Sequence, residues 1–187
     1  MVSNLQSPVF FFGADMVWTD LTLSASRLAP RQNASLTSVP PVDASVADTR
    51  EPSGELYLFG GDHNGEPRGD LWLYDIQGGE WKEPEIRGGE RPSARSRHTL
   101  TLVRYRRGET QMEEDRLYLF GGVGQHSEEV MYLDLLRKEW VSPRTIGATA
   151  ITLLGHTAAQ VGVNLYVVGG RDSRRAYNRV WKLDTST

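Results

Sequence analysis

The side chains in this sequence that are best suited to bind a ligand are arginines in the polar stretches between apolar runs. Eleven arginines lie in the connections that strand direction places at one end of the predicted sheets: Arg27, Arg31, Arg68, Arg87, Arg91, Arg95, Arg97, Arg144, Arg171, Arg174 and Arg175. A planar guanidinium group can donate two parallel hydrogen bonds to one carboxylate or phosphate. The same stretches hold five acids, Asp62, Glu66, Glu90, Glu128 and Asp172. The excess of arginine favours the binding of acidic groups.

The alternative for each of these arginines is a solvated side chain, or an ion pair with a nearby acid such as Glu90 or Asp172. Exposed charges are usually coupled only weakly to their neighbours. Arg97 and His98 stand beside a strand start that recurs along the chain, which favours hydrogen bonding within the repeated unit. Both interpretations stay open at the level of sequence.

The histidines do not suggest a metal site, because His63, His98, His126 and His156 lack metal-ligand spacing. His98 and His156 occupy equivalent repeat positions, which favours a structural role, whereas His63 and His126 lie in loops and are candidates for partner contact. The sequence has no cysteine, which excludes disulfides, thiolate metal sites and cysteine nucleophiles. It also has no recognisable nucleophile turn or phosphate loop. We predict no catalytic residue, no metal and no cofactor.

A unit that occurs three times must position these loops. Its first copy, ELYLFGGDHNGEPRGDLWLYDIQGGEW, has an apolar strand, a glycine pair, a polar loop, a second alternating strand and a tryptophan. Alternation of apolar and polar residues over 4–8 positions predicts strands, so we expect an all-β protein. The repeated positions are Gly60, Gly61 and Trp81, then Gly121, Gly122 and Trp140, then Gly169 and Gly170.

Each repeated residue type has a structural reason. A glycine pair after a strand permits positive φ or a close approach of a neighbouring backbone. A tryptophan at the start of the outer strand can fill the gap between adjacent sheets. The alternating Leu, Tyr, Val and Phe give both faces of a sheet something to bury. We therefore predict sheets that stack on one another.

The glycine pairs, the aromatic residue and the tryptophan, in units of close to 50 residues, resemble kelch repeats, which are the four-stranded blades of a β-propeller. The pattern departs from the family where Leu133 and Leu183 replace Tyr74, and where Ala34 replaces His98. The resemblance implies a single incomplete kelch propeller. Its predicted parts are the last two strands of a blade at 8–26, full blades at 31–87 and 95–146, and the first three strands of a blade at 152–187.

Propellers close with 4 to 8 blades. We therefore expect either that this chain is a segment of a longer propeller, or that a partner or a second copy supplies the missing blades.

Strand direction assigns the loops to two faces, because the second-to-third loop and the blade-to-blade connection lie at the same end of an antiparallel blade. We call this end the loop face; it carries residues 62–69, 123–127 and 171–177 and the starts of the blades. The insertions Pro40 to Gly54 and Arg104 to Asp115 lie at the opposite end, which is acidic. The residues predicted to contact a partner on the loop face are His63, Arg68, Arg95, Arg97, His126, Arg171, Arg174 and Arg175.

The resemblance implies docking of a peptide or protein on the loop face. Our first hypothesis is a non-catalytic scaffold or interaction module that binds an acidic peptide or protein there. The alternatives are an enzyme or small-ligand protein whose active residues lie outside this chain, and a structural subunit that makes contacts through its insertions. A formal charge of -3 argues against nucleic-acid binding. Without an apolar run of roughly 20 residues, we expect a soluble cytoplasmic protein with no membrane contact.

Overall fold

The computed structural model describes residues 28–41, 53–107, 112–147 and 152–186. Over these ranges the chain forms strands, turns and loops but no helix, which confirms the predicted all-β class. The strands are β1 (Ser35–Val39), β2 (Glu55–Phe59), β3 (Asp62–His63), β4 (Glu66–Pro67), β5 (Leu71–Asp75), β6 (Glu80–Lys82), β7 (Arg95–Ser96), β8 (Thr99–Arg107), β9 (Met112–Phe120), β10 (Val123–Gly124), β11 (Met131–Asp134), β12 (Glu139–Val141), β13 (Leu154–Val161), β14 (Asn164–Arg171) and β15 (Val180–Asp184).

Three antiparallel sheets form the body of the described chain. The first has the order β1-β2-β5-β6, the second has the order β8-β9-β11-β12, and the third has the order β13-β14-β15. The first strands of the three sheets, β1, β8 and β13, contact one another in succession. The sheets therefore stand side by side around a common axis, as the blades of a propeller do. We call them the first, second and third blades.

Two short ladders decorate the loop face. Within the loop of the first blade, β3 pairs with β4, and in the second blade β7 pairs with β10. The second ladder joins Gly124 to Arg95 and Val123 to Ser96. These ladders hold the loops against the strand starts.

Most of the buried apolar side chains form two clusters, and each cluster lies between neighbouring blades. Strand β9 shows how one strand serves both: Leu117 and Leu119 belong to the cluster shared with the first blade, whereas Tyr118 and Phe120 belong to the cluster shared with the third. Successive side chains of a strand point to opposite faces of the sheet. The alternation therefore supplies both faces with buried residues, as the sequence predicted.

The outer-strand tryptophan of the second blade fills the space between two blades. Trp140 in β12 is 4% exposed, and its ring centroid lies 5.7 Å from that of Phe59 in the first blade. Trp81 is half-buried and packs on Tyr74 of its own blade, with 5.1 Å between centroids. The predicted strand pair at 8–26, which would precede the first blade, lies outside the described residues.

The three glycine pairs have the positive φ angles expected of them, between 62° and 98°. The pairs of the first two blades directly follow β2 and β9, and the pair of the third blade lies in the last residues of β14. They are therefore found at equivalent strand ends.

The second insertion is shorter than predicted, because the flanking strands extend into it. β8 continues to Arg107 and β9 begins at Met112, so Arg104 and Asp115 pair directly across the two strands. The Nε and Nη2 atoms of Arg104 donate to the two carboxylate oxygens of Asp115 at 2.8 and 2.7 Å. Opposite charges across a strand pair stabilise it. Most of the first insertion, residues 42–52, lies outside the described residues.

Candidate functional site

The loop face is organised by the residues at which each blade begins. Asn33, Arg97 and Gly155 occupy equivalent positions, and all three have positive φ, at 56°, 59° and 65°. The Arg97 amide donates to the Asn33 carbonyl at 2.9 Å, and the Gly155 amide donates to the Arg97 carbonyl at 3.0 Å. A row of backbone hydrogen bonds therefore links the three blades along this face.

Both ends of this row meet a loop of the face. Arg171 pairs in the third blade with Leu154, the residue before Gly155. At the other end, the carboxylate of Asp62 accepts hydrogen bonds from the side-chain amides of Asn33 and Gln32, at 2.9 Å each. These two bonds hold the pKa of Asp62 below its ordinary value.

His98 and His156 fasten each blade to the blade before it. The Nε2 atom of His98 lies 2.8 Å from the Oγ atom of Ser35, and that of His156 lies 3.0 Å from the Oγ1 atom of Thr99. The prediction that His98 bonds within its own blade is therefore wrong, because its side chain reaches across the boundary. The sequence could not show which blade supplies the partner.

Burial lowers the pKa of both imidazole groups. Desolvation lowers the pKa of His98 to about 4, and the nearby Arg95 charge adds to this effect. Desolvation also lowers the pKa of His156. Both rings pack edge-on against a phenylalanine of the preceding blade, His98 against Phe59 and His156 against Phe120. The neutral rings are therefore part of the contact between blades.

Mild acid is expected to destabilise the protein through His98. Its pKa is near 6.5 when unfolded and about 4 when folded, so its contribution is complete above pH 6.5 and is lost as the pH falls toward 4. We expect the free energy of unfolding to fall by about 2 kcal/mol between pH 7 and pH 5 from this group alone. Urea denaturation at the two pH values measures the change. A H98Q variant should show a smaller fall, and an equal fall in both proteins would contradict the prediction.

Arg31 is a structural residue and is unavailable to a partner. Its side chain is 6% exposed, and it forms a bidentate pair with Asp70 in which both nitrogen–oxygen distances are 2.8 Å. Its Nη1 atom also donates to the carbonyl of Gly60 at 3.0 Å. This arginine ties the start of the first blade to the loop that follows its glycine pair.

Arg95, at the equivalent position of the second blade, is fully buried. Its Nε and Nη2 atoms donate to the carbonyl and hydroxyl oxygens of Ser93 at 3.2 and 2.9 Å, and Nη2 also approaches the carbonyl of His126 at 3.4 Å. Arg95 is therefore not available as the surface contact that the sequence predicted. It supports the loop that carries His126 from beneath.

Arg97, Arg171, Arg174 and Arg175 are exposed on the loop face. The guanidinium groups of the first three make no ion pair with the residues that the structure describes. The guanidinium group of Arg175 lies over the ring of Tyr177, 5.0 Å from its centroid. These four residues remain candidates for partner contact.

Asp172 does not neutralise its arginine neighbours by side-chain contact. Its carboxylate accepts hydrogen bonds from the Tyr177 hydroxyl at 2.5 Å and from the backbone amides of Arg174 and Arg175 at 2.7 and 2.8 Å. These bonds, led by that from Tyr177, lower the pKa of Asp172 to about 2. The acid shapes the loop and forms no ion pair with Arg174 or Arg175 among the described residues.

The other predicted contact residues differ in exposure. His63 and His126 are exposed, and Arg68 is half-buried, with a buried Nε atom that has no hydrogen-bond partner among the described residues. The Nδ1 atom of His126 lies 4.0 Å from carboxylate oxygens of Glu128 and Glu129. The histidines accordingly belong to the accessible part of the loop face.

Arg87, one of the eleven arginines singled out in the sequence, lies away from the loop face. Its backbone amide donates to the carbonyl of Lys138, in the turn between β11 and β12 at the opposite end of the second blade. Its guanidinium group pairs with Glu85 at 3.3 Å, and both side chains are exposed. The connection leaving β6 thus runs along the outer strand of the next blade before it reaches the loop face.

Sequence reasoning missed the acid that anchors Arg31. Asp70 lies five residues before Asp75, and Glu129 lies five residues before Asp134 in the second copy. A recurring acid at this position was the available signal that Arg31 and Arg95, at the starts of the first two blades, are held within the fold.

The described residues contain no group of histidine and acidic side chains arranged to hold a metal ion. In the same ranges, no helix has the length and apolar character needed to cross a membrane.

Residues 51–187 match the family model of the KLHDC2/KLHL20/DRC7 Kelch-repeats domain. The chain belongs to the kelch-repeat family. The resemblance found in the sequence and the architecture of an incomplete kelch β-propeller are thereby confirmed. Kelch-repeat domains generally serve protein–protein interaction.

Curated relatives of this kelch chain carry different printed names. It is 30% identical over 128 residues to a Rab9 effector protein with kelch motifs from Gallus gallus, covering 66% of this chain and 32% of the relative. It is 28% identical over 143 residues to acyl-CoA-binding domain-containing protein 5 from Arabidopsis thaliana, covering 71% and 21%. It is also 30% identical over 112 residues to N-(sulfonatooxy)prop-2-enimidothioate sulfolyase from Thlaspi arvense, covering 57% and 29%.

The kelch chain thus spans less than a third of the length of these relatives. Their names point to different activities on a shared repeat, so the family establishes the fold and not the ligand.

Proposed function

We propose that this chain is a non-catalytic kelch interaction module, which docks an acidic peptide or protein on its loop face. The observation that supports the proposal most strongly is which charged side chains on that face have a partner within the protein. Arg97, Arg171 and Arg174 are exposed without an ion pair among the described residues, whereas Asp62 and Asp172 are occupied by neutral donors of the loop face itself. Neutral donors leave both carboxylate charges in place, but neither acid forms an ion pair with the three arginines, whose guanidinium groups stay available to acidic groups of a partner.

The placement of the arginines supports one continuous binding surface. The row of backbone hydrogen bonds at the blade starts brings Arg97 to Gly155, and the strand pair of the third blade brings Arg171 beside Leu154. Guanidinium groups on adjoining blades can engage several carboxylates of one acidic segment, and each can do so with two hydrogen bonds. His63, His126, Arg68 and Arg175 flank this surface in the proposal.

The proposal includes a cytoplasmic location, action without a cofactor, and neither nucleic acid nor membrane as a partner. The negative formal charge and the lack of cysteine motivate it. Additional blades, from a longer parent chain or another subunit, would complete the propeller.

A second candidate is the binding of a small anion by a longer protein that contains these blades. The sulfolyase from Thlaspi arvense favours it, because its printed name specifies a sulfonatooxy compound. Exposed guanidinium groups would also suit a sulfate ester. Inorganic sulfate that displaces an acidic peptide, where chloride of equal ionic strength does not, would favour this candidate.

Removing two arginines is expected to weaken the binding of an acidic peptide. The double variant R97G/R174A should bind a fluorescein-labelled hexaglutamate peptide about 5–30-fold more weakly, since each charge contact contributes roughly 0.5–1 kcal/mol. Fluorescence anisotropy at low salt measures the affinity. Glycine is a suitable replacement for Arg97, because the equivalent residue of the third blade is Gly155 and both have positive φ.

The matched control is K138G/K182A. Lys138 also has positive φ, at 57°, and both lysines are exposed and lie away from the loop face. The control removes the same charge from the protein, so it should bind the peptide as the original chain does. Equal affinity of the arginine variant and the control would count against docking on the loop face.

A further inference from the structure

A cleft of about 520 Å³ opens between the first and second blades, at the end opposite to the loop face. Its floor is apolar and comes from both blades: Val39, Tyr57, Leu73, Ile86, Leu133 and Leu135. Most of these side chains belong to the cluster between the two blades, and the others pack against it. The cleft is therefore the place where the core between the blades reaches solvent.

The two walls of the cleft are bonded to each other. One wall is the connection leaving β6, residues 82–86, and the other is the turn between β11 and β12, residues 135–138. Beyond the first wall, the Arg87 amide donates to the Lys138 carbonyl at 2.7 Å, and the Trp140 amide donates to the Gly88 carbonyl at 3.0 Å. The cleft is thus preformed, as binding sites usually are.

The rim of the cleft is charged. It carries Glu55, Glu83, Glu85, Asp115, Lys82 and Lys138. Two of these groups are already paired with an opposite charge. The Nζ atom of Lys82 lies 2.9 Å from the carboxylate of Asp75, and the carboxylate of Asp115 accepts hydrogen bonds from the Nε and Nη2 atoms of Arg104. The remaining charge comes from three glutamates and one lysine.

The three glutamates are accessible to a ligand to different degrees. Glu55 accepts a hydrogen bond from the Tyr57 hydroxyl at 2.9 Å, a neutral donor that leaves its charge in place. Glu85 pairs with Arg87 only at the exposed surface, where such pairs are weak. Glu83 is exposed. An apolar floor with a negative rim complements an apolar side chain that is followed by a cation.

We propose that this cleft binds an extended peptide segment of a partner protein, in which one large apolar side chain precedes Lys or Arg. The apolar side chain enters between the blades, and the basic residues lie along the glutamates. Ligand pockets range over roughly 300–1,000 Å³, so a cleft of this size takes one or two side chains and not a folded element. The exposed side chain of Leu136, at the mouth, extends the apolar contact. This ligand has the opposite charge to the one proposed for the loop face, so the two sites can be tested separately.

The test uses the intact chain and three labelled peptides. The probe is Ser-Gly-Trp-Lys-Arg-Gly-Ser, with one control peptide in which Ser replaces Trp and another in which two Glu replace Lys and Arg. The proposal expects the probe to bind at least tenfold more tightly than either control peptide in fluorescence anisotropy. Equal affinities for the three peptides, or no binding of the probe, would overturn it.

Variants of the protein locate the site. E83K/E85K should weaken binding of the probe about tenfold or more, whereas E66K/E90K, which makes the same change in net charge at exposed positions elsewhere, should leave it within twofold. L136S should weaken the Trp peptide several-fold and leave the Ser peptide unchanged. The R97G/R174A variant should bind the probe normally. A loss shared equally by both glutamate variants would show attraction by net charge alone, and would overturn the site.

Discussion

Replacing Gly121 by alanine is expected to lower the free energy of unfolding by about 3–5 kcal/mol, a loss in the range that marks a structural clash. An added Cβ atom would lie 2.4 Å from the carbonyl oxygen of Leu153 and 2.6 Å from the ring of His156, both in the next blade. The φ angle of +68° adds a backbone cost of roughly 1–2 kcal/mol for a residue other than glycine. Urea denaturation followed by circular dichroism measures the loss.

Gly169 is the matched control, because it is the equivalent glycine of the third blade. Its φ is +72°, but an added Cβ atom would meet only the Tyr177 carbonyl, at an ordinary 3.7 Å. G169A should therefore lower the free energy of unfolding only by the cost of positive φ in alanine, roughly 1–2 kcal/mol. Equal losses in G121A and G169A would show that the first glycine of each pair serves the turn alone and not the close approach of the next blade.

Truncating Trp140 to alanine is expected to cost about 4 kcal/mol, since buried aromatic residues cost roughly 3–5 kcal/mol when truncated. Trp140 is 4% exposed and joins the cluster that includes Phe59 of the first blade and Leu133 of its own. Its removal opens a cavity between blades, where two flat sheets cannot close over the gap. The free energy of unfolding from urea titration is again the measurement.

The comparison for this variant is W81A, at the equivalent position of the first blade. Trp81 is only half-buried, and its described ring contact is with Tyr74 in the same blade. Its truncation removes less buried area, so we expect a loss of about 2 kcal/mol or less. If W81A and W140A cost the same, the outer-strand tryptophan does not draw its stabilising effect from the neighbouring blade.

Much of the fold could be predicted because the repeat constrains it at several levels at once. The alternation in LYLF, the glycine pair after it and the tryptophan that follows all require the same stacked sheets. Strand β9 shows the effect of the two-residue period of a strand. Its side chains alternate between two cores, with Leu117 and Leu119 in one and Tyr118 and Phe120 in the other.

The site was harder to predict, because burial in loops depends on contacts between distant parts of the chain. Arg95 resembles the other loop arginines in sequence, but the strand pair between β7 and β10 folds the loop of His126 over it. His98 gave no sign of which blade supplies its partner, since alignment of repeats places Ser35 and Thr99 at the same position. The cleft also escaped prediction, because its walls, residues 82–86 and 135–138, lie about 50 positions apart.

The lack of ion pairs at the loop-face arginines distinguishes the proposed binding role from a purely structural one. Arg31 shows what a structural arginine of this fold does: its side chain is buried and forms a bidentate pair with Asp70. Arg97, Arg171 and Arg174 do not follow that pattern. The Nε atom of Arg171 donates to the carbonyl of Asp172 at 3.2 Å, but none of the three forms an ion pair with the described residues. Guanidinium donors that are not engaged in an ion pair stay available to a carboxylate from outside.

The most direct test of acidic docking is the pattern of amide hydrogen exchange in the intact chain, with and without the hexaglutamate peptide. We expect slower exchange in residues 95–98, 123–127 and 171–177 when the peptide is present, and unchanged exchange in the turn at 135–138. Protection confined to that turn, or no protection on the loop face at peptide concentrations that saturate the anisotropy signal, would contradict it.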